Sequence, residues 1–164
     1  MKTIEELIQQ LRRFSPELIN LQPPADEVEI LKFEEKFGFQ LPKDYKTFLK
    51  VHNGVSLMGV TIYGIDNGSL SFSLEKSYLF EHEEVDHPMP KDFVPFSPDG
   101  SGNHYCFDLR TCNLESCEII FWQHDFIYYD EDKPEVVNSN FADWVEEVVI
   151  NWTLEDYDYN GNRK

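Results

Sequence analysis

Four groups of residues in this chain have side chains that could do chemistry. His104, Asp108, His124 and Asp125 form the first. Imidazoles beside carboxylates can ligate a metal ion or trade protons as general acid and base. Asp108 continues the strand-like run Asn103–Leu109, on the face opposite Phe107 and Leu109. There it would equally accept backbone hydrogen bonds from a neighbouring turn, and that structural role is the favoured reading. The second is Cys106, which shares strand parity with His104 and Asp108. A nucleophilic thiol needs a lowered pKa, and no helix N-terminus is expected beside this one. The third is Ser97-Pro98-Asp99-Gly100-Ser101-Gly102-Asn103, the densest set of turn formers in the chain. A phosphate cradle would open a helix and carry a basic side chain. Here a strand follows and the nearest charge is Asp99, so a hairpin turn with positive φ at Gly100 and Gly102 is expected. The fourth is the acidic run Glu81–Asp86 with His82 and His87. Paired carboxylates can serve glycoside hydrolysis, but a solvated loop or a surface that docks on a basic protein needs no special geometry. No catalytic residue, bound metal or cofactor follows from these groups.

Several elements must position these residues. Tyr105, Phe107 and Leu109 recur at period two, and Glu118–Trp122 is a second β-branched and aromatic run. Ahead of them lie three predicted helices. Ile4, Leu7, Ile8 and Leu11 mark one. Prolines 16, 23 and 24 then predict an irregular connection. Asp26 and Glu29 form a capping box for a helix with a wide apolar face (Val28, Ile30, Leu31, Phe33, Phe37), stopped by Gly38. Pro42 opens a third helix, and Asn53-Gly54 ends it. Leu57, Val60, Ile62 and Ile65 then predict strand, as does the alternation of Leu70, Phe72 and Leu74 with serines. Ser77–Pro90 reads as a long loop or short helix, and Phe126–Tyr129 as a short strand. Phe141, Trp144, Val145, Val148, Val149 and Trp152 give the closing helix a stripe. The expected organisation is one α+β domain over 1–154. N-terminal helices occupy 1–54, a central, mainly antiparallel sheet 55–138 and a closing C-terminal helix 139–153. A polar tail, 155–164, is expected to fray.

With 164 residues, 41% hydrophobic and 15% aromatic, the chain can bury roughly 70% of its unfolded surface. No apolar run approaches the roughly 20 residues that span a bilayer, and the N-terminus lacks the apolar stretch of a signal peptide. A soluble, cytoplasmic protein is expected. Cys106, Cys112 and Cys117 are an odd number without C-x-x-C spacing. They predict reduced thiols rather than a disulfide framework or zinc site. The net charge of −17 is unevenly placed: residues 1–63 carry 9 acidic and 8 basic side chains, residues 64–164 carry 22 and 6. Such a field steers basic partners and repels nucleic acid.

The ordered motifs resemble the SUKH superfamily, in particular its Smi/Knr-like branch. Pro24-Ala25, Phe33-Glu34 and Phe37-Gly38 form one piece, and Leu41 to Leu49 followed by Asn53-Gly54 a second. Pro95-Phe96 with Gly100 to Asp108, Ile120 to Asp125, and Phe141 through Trp144 complete the set, which covers about residues 20–150. The resemblance implies a non-enzymatic bacterial immunity protein that binds and neutralises a polymorphic toxin, often a nuclease. Fungal relatives regulate cell-wall assembly, so a regulatory scaffold binding an endogenous protein is the alternative. The family-motif residues Pro42, Asn53, Gly54, Gly100, Gly102, Asn103, Asp108 and Trp122 are expected to shape the fold.

The expected partner is a basic toxin, with no nucleic acid and no membrane; nothing in the residues specifies an oligomeric state. Candidate contacts are Glu81, Glu83, Glu84, Asp86, Asp99, Asp130, Glu131 and Asp132, with Tyr128 and Tyr129 as aromatic anchors. A metal-dependent hydrolase would instead need His104, Asp108, His124 and Asp125 to converge on one point.

Overall fold

A computed structural model describes residues 1–68, 72–129 and 131–164. Helix α1, Ile4–Leu11, starts at a capping box between Thr3 and Glu6 and buries Ile4, Leu7, Ile8 and Leu11. The proline-rich connection that follows contains a short strand, β1 (Ile19–Leu21). Three residues are too few to show a period in sequence. Helix α2, Glu27–Phe37, has the expected capping box of Asp26 with Glu29 and ends at Gly38 in the left-handed conformation. Its apolar face is narrower than expected: Ile30 and Phe33 are buried, whereas Val28 and Leu31 face solvent. Helix α3, Lys43–Val51, follows Pro42 and buries Tyr45, Phe48 and Leu49.

Two antiparallel sheets follow. β2 (Val55–Leu57) and β3 (Val60–Ile62) form a hairpin, with β1 on the other edge of β2. Met58 and Gly59 both take positive φ in its two-residue turn, as a hairpin with right-handed strand twist requires. The second sheet runs in the order β4 (Phe93–Pro98), β5 (His104–Asp108), β6 (Ile119–Trp122), β7 (Val136–Asn138). The sheets meet where Tyr63 N–H donates to Phe96 O at 2.8 Å.

Two strand expectations are corrected. Leu70 lies outside the described residues, but Ser73 and Leu74 start a helix, α4 (Leu74–Leu79), which widens into π turns over Phe80–Glu84. The Ser73 hydroxyl accepts from Lys76 N–H, so the serine that looked like a strand's polar face is an N-cap. Phe126–Tyr129 is a loop, not a strand.

The second sheet has two apolar faces. Val94, Phe96, Phe107 and Ile119 enter the main core under the closing helix. That helix comprises α5 (Phe141–Trp144, capped by Asn140), a π-helical stretch Val145–Asn151 and α6 (Trp152–Asp156). Its π turns bury Val145, Val148, Val149 and Ile150 together, a wider stripe than an α-helix presents. Phe96 stacks on Phe107 at 4.3 Å, and Phe141 meets Phe96 edge-on at 5.6 Å. On the opposite face Phe93, Cys106, Ile120 and Trp122 pack with Met89. The polar tail packs back on the N-terminal segment. Tyr159 meets Phe14 at a tilt, ring centroids 4.7 Å apart, under the Arg13 guanidinium, and its carbonyl accepts from Ser15 N–H.

The expectation of reduced cysteines is also corrected. Cys112 and Cys117 form a disulfide, and Cys106 is free and buried. Sequence spacing missed the pair because the chain reverses between them. Asn113 accepts from Glu115 N–H and Ser116 N–H and brings the two Cα atoms to 4.0 Å.

Candidate protein-binding surface

The residues that suggested chemistry are held apart by their strand positions. The β4–β5 hairpin closes through Asp99, whose carboxylate accepts from Ser101 N–H (2.7 Å), Asn103 N–H (3.0 Å) and Asn103 Nδ2 (2.9 Å). Partial burial would raise this carboxyl, but those donors outweigh it and hold it below the usual range. Gly100 and Gly102 take the positive φ the turn requires. Asn103 Oδ1 accepts from His124 N–H at 3.1 Å and lies 2.8 Å from His124 Nδ1, clipping the hairpin to the end of β6. A side chain at Gly102 would press on that imidazole, its Cβ only 3.0 Å from Nδ1. This turn is a structural clip.

One residue along, His104 points to the other sheet face and is buried. Its Nδ1 has no hydrogen-bond partner, with Glu81 Oε1 at 3.8 Å. Burial pushes His104 down to about 4 and pushes Glu81 up, so each environment favours the neutral form. The Cys106 thiol is fully buried, and burial raises its pKa well above the ordinary value. That is the opposite of an activated nucleophile. Asp108, also buried, accepts from Arg110 N–H at 3.1 Å and is forked by Arg110 Nε and Nη2 at 3.0 Å each. Asp125 is exposed. His104, Asp108 and His124 thus lie against three different groups, Glu81, Arg110 and Asn103. Among the described residues no group of three or more His, Cys, Asp or Glu is placed to hold a metal.

Of the carboxylates proposed to meet a partner, Glu81 needs correction. The π turns after α4 rotate it inward against His104, where it is buried. Glu83, Glu84 and Asp86 remain exposed. Asp99 is at the surface with its oxygens occupied by its own turn. Glu131 is exposed, Asp130 lies outside the described residues, and Asp132 accepts from Tyr129 N–H at 2.6 Å. The two tyrosines separate: Tyr128 is half-buried, its hydroxyl accepting from Gln123 N–H and its ring against Phe126, while Tyr129 is exposed. Phe126, Ile127 and Val136 are exposed as well. Reading Phe126–Tyr129 as a strand hid the first two. The visible signal was an apolar run bounded by aspartates.

The remaining family-motif residues are internal. Asn53 is buried and bridges both backbone groups of Ile65, donating to its carbonyl (2.8 Å) and accepting from its N–H (2.7 Å). Gly54 has positive φ, and a Cβ there would lie 2.9 Å from Ile62 O. Gly64, which sequence reasoning did not single out, abuts the Asn53 backbone so closely that any Cβ would clash with it. Pro42 and Trp122 are buried.

The sequence model of the SMI1 / KNR4 family (SUKH-1) matches residues 24–147, from the approach to α2 into the closing helix. The chain belongs to that family. The SUKH-1 family includes immunity proteins, and its members bind partner proteins. The chain is similar to the SPbeta prophage-derived uncharacterized protein YokK of Bacillus subtilis (strain 168), 26% identical over 136 residues and covering 68% of each chain. It also matches the crystal structure of a protein from Pseudomonas syringae pv. tomato with a TM-score of 0.60 at 21% identity. That match covers 88% of this chain and 96% of the other, a likeness of fold. Among the described residues no helix is long and apolar enough to cross a membrane.

Proposed function

We propose that this SUKH-1 protein is a cytoplasmic immunity protein. It binds a cognate toxin with a basic substrate-binding surface, such as a nuclease domain, and neutralises it by occlusion. The observation that carries the reading is the placement of charge in a family that binds proteins. The sheet half and closing helix hold nearly all of the net negative charge. Carboxylates on that half stand where nucleic-acid phosphates would on the toxin, pair with its Lys and Arg side chains, and speed association by steering. Glu83, Glu84, Asp86 and Glu131 remain exposed for such contacts. His104, His124 and the free thiol are buried or engaged in structural bonds, which favours binding over catalysis. The test is co-expression with the product of the gene immediately upstream, first shown to be toxic on its own. Restored growth and a stable complex on size exclusion are expected. Unrelieved toxicity with no complex overturns the reading.

A further inference from the structure

The loop between β6 and β7 and the start of β7 leave apolar side chains unburied. Phe126, Ile127, Tyr129 and Val136 are 53%, 59%, 66% and 52% exposed. The first three are consecutive or nearly so in chain, and Val136 lies on β7, the outer strand of its sheet. Scattered exposed apolar residues are ordinary, but a group of them rimmed by charge marks an interaction site. The described part of the loop has contacts of its own. Tyr128 meets Phe93 edge-on, and Asp132 accepts from Tyr129 N–H, contacts that tie the exposed chains to the sheet. Rigid aromatic side chains lose little freedom on binding.

Two clefts flank the strip Asp132–Pro134. One, about 470 Å³, runs to the turn at Arg110 and Thr111 and carries Glu118, Glu131 and Asp132 against Lys133. The other, about 190 Å³, lies between Phe126 and Glu135. In the larger cleft Asp108 is already forked by Arg110. Among the described residues the Glu118 and Glu131 side chains make no hydrogen bond or ion pair. We infer that this β6–β7 face is the docking surface. Its occupant is a basic polypeptide surface whose arginine or lysine enters the Glu118–Glu131 cleft while its apolar side chains cover Phe126, Ile127 and Tyr129. Charge complementarity selects that occupant. A second copy of the chain would bring the same carboxylates against themselves, and an anionic lipid or nucleic acid would be repelled. The inference rests on the binding reading above and moves its centre. The exposed Glu83–Asp86 segment contributes steering, and the apolar loop contributes the contact that holds.

Two measurements separate the surface from the toxin. In the first, amide NMR shifts are followed as an octapeptide of alternating arginine and leucine is titrated into the full chain. Shifts concentrated at residues 118 and 123–136 are expected. A triple variant Phe126→Ser, Ile127→Ser, Tyr129→Ser, shown folded by its thermal melt, is expected to bind at least tenfold more weakly. Replacing the peptide's leucines by serine should weaken it similarly. Shifts centred on 83–86, shifts spread over all acidic segments, or no shift would each overturn the assignment. In the second, the triple variant and a Glu83→Gln, Glu84→Gln, Asp86→Asn variant are compared with the wild type in toxin co-expression. Loss of protection in the first variant only supports the docking face. Protection retained by the first and lost by the second overturns it. Failure of the wild type to protect overturns the immunity reading instead, and the peptide arm still decides the surface.

Discussion

Replacing Asn53 with alanine removes a side chain that does the work of a strand partner. The Asn53 amide closes both hydrogen bonds of the Ile65 backbone, at 2.8 and 2.7 Å. Asn53 and Ile65 are each 1% exposed, so no solvent stands ready to replace the lost amide. Each orphaned buried backbone group costs about 1–3 kcal/mol; with partial relaxation the pair gives an expected loss of about 3–4 kcal/mol. That is a large fraction of a typical domain stability of about 5–15 kcal/mol. At about 2–4 °C per kcal/mol for a chain of this size, the melting temperature should fall by roughly 10 °C. The assay is urea unfolding followed by the fluorescence of the buried Trp122 and Trp144, with the slope checked for constancy. Asn53→Asp is the control. It keeps an acceptor for Ile65 N–H but sets a carboxylate against Ile65 O, so it should be at least as damaging as alanine. A loss below about 1 kcal/mol for alanine at unchanged slope would refute the bridge as the element that joins α3 to the strands.

Three further outcomes follow from the same structure. Gly64→Ala drives a methyl into the Asn53 backbone and should cost at least about 3 kcal/mol, as overpacking against an immovable neighbour does. Near-wild-type urea midpoints would contradict the close approach. Asp44, whose carboxylate accepts from Phe141 N–H at 3.1 Å, is raised to about 6, chiefly by burial and against its hydrogen bonds. Folded protein therefore binds its proton more tightly than unfolded chain, so its contribution to stability falls as pH rises from about 4 to 6, by up to about 3 kcal/mol. His104, lowered to about 4 by burial, acts in the opposite sense, losing stability as pH falls from about 6.5. Asp44→Asn should unmask that loss in melting temperatures between pH 7 and pH 4; a profile parallel to the wild type would refute it. Native oxidised protein should show no thiol reactive towards a bulky aromatic disulfide reagent, because Cys106 is inaccessible. Denaturation should expose one and reduction before denaturation three, read by absorbance. Three without reduction would mean that Cys112 and Cys117 are unpaired.

The capping box of α2, the period-two run of β5 and the stripe of the closing helix were legible because local rules decide them. Asp26 with Glu29 caps α2 as expected, and the Gly100–Asn103 turn has the positive φ expected at both glycines. The ordered motifs likewise pointed to SUKH-1, and the family's sequence model agrees over residues 24–147. Misreadings came where one pattern serves two geometries. Apolar residues alternating with serine suit a strand or a capped helix start, and Ser73 sided with the helix. The acidic run after Ser77 looked wholly solvated, yet π turns place Glu81 inside.

Taken alone, the sequence determined the helices α1 to α3, the closing helix, the strands around the Gly100–Asn103 turn, the α+β class and the family, since periodicity, caps and turn residues act within a few positions of one another. Tertiary structure decided what each polar group does. His104, Asp108 and His124 look like one constellation when read along the chain. Strand alternation and register give them to Glu81, Arg110 and Asn103 respectively. Which apolar residues stay uncovered was also decided only there. Phe126, Ile127 and Tyr129 have the composition of a core strand and are left at the surface because β6 pairs instead with Val136–Asn138. Burial depends on which distant segment arrives, and no local pattern records that.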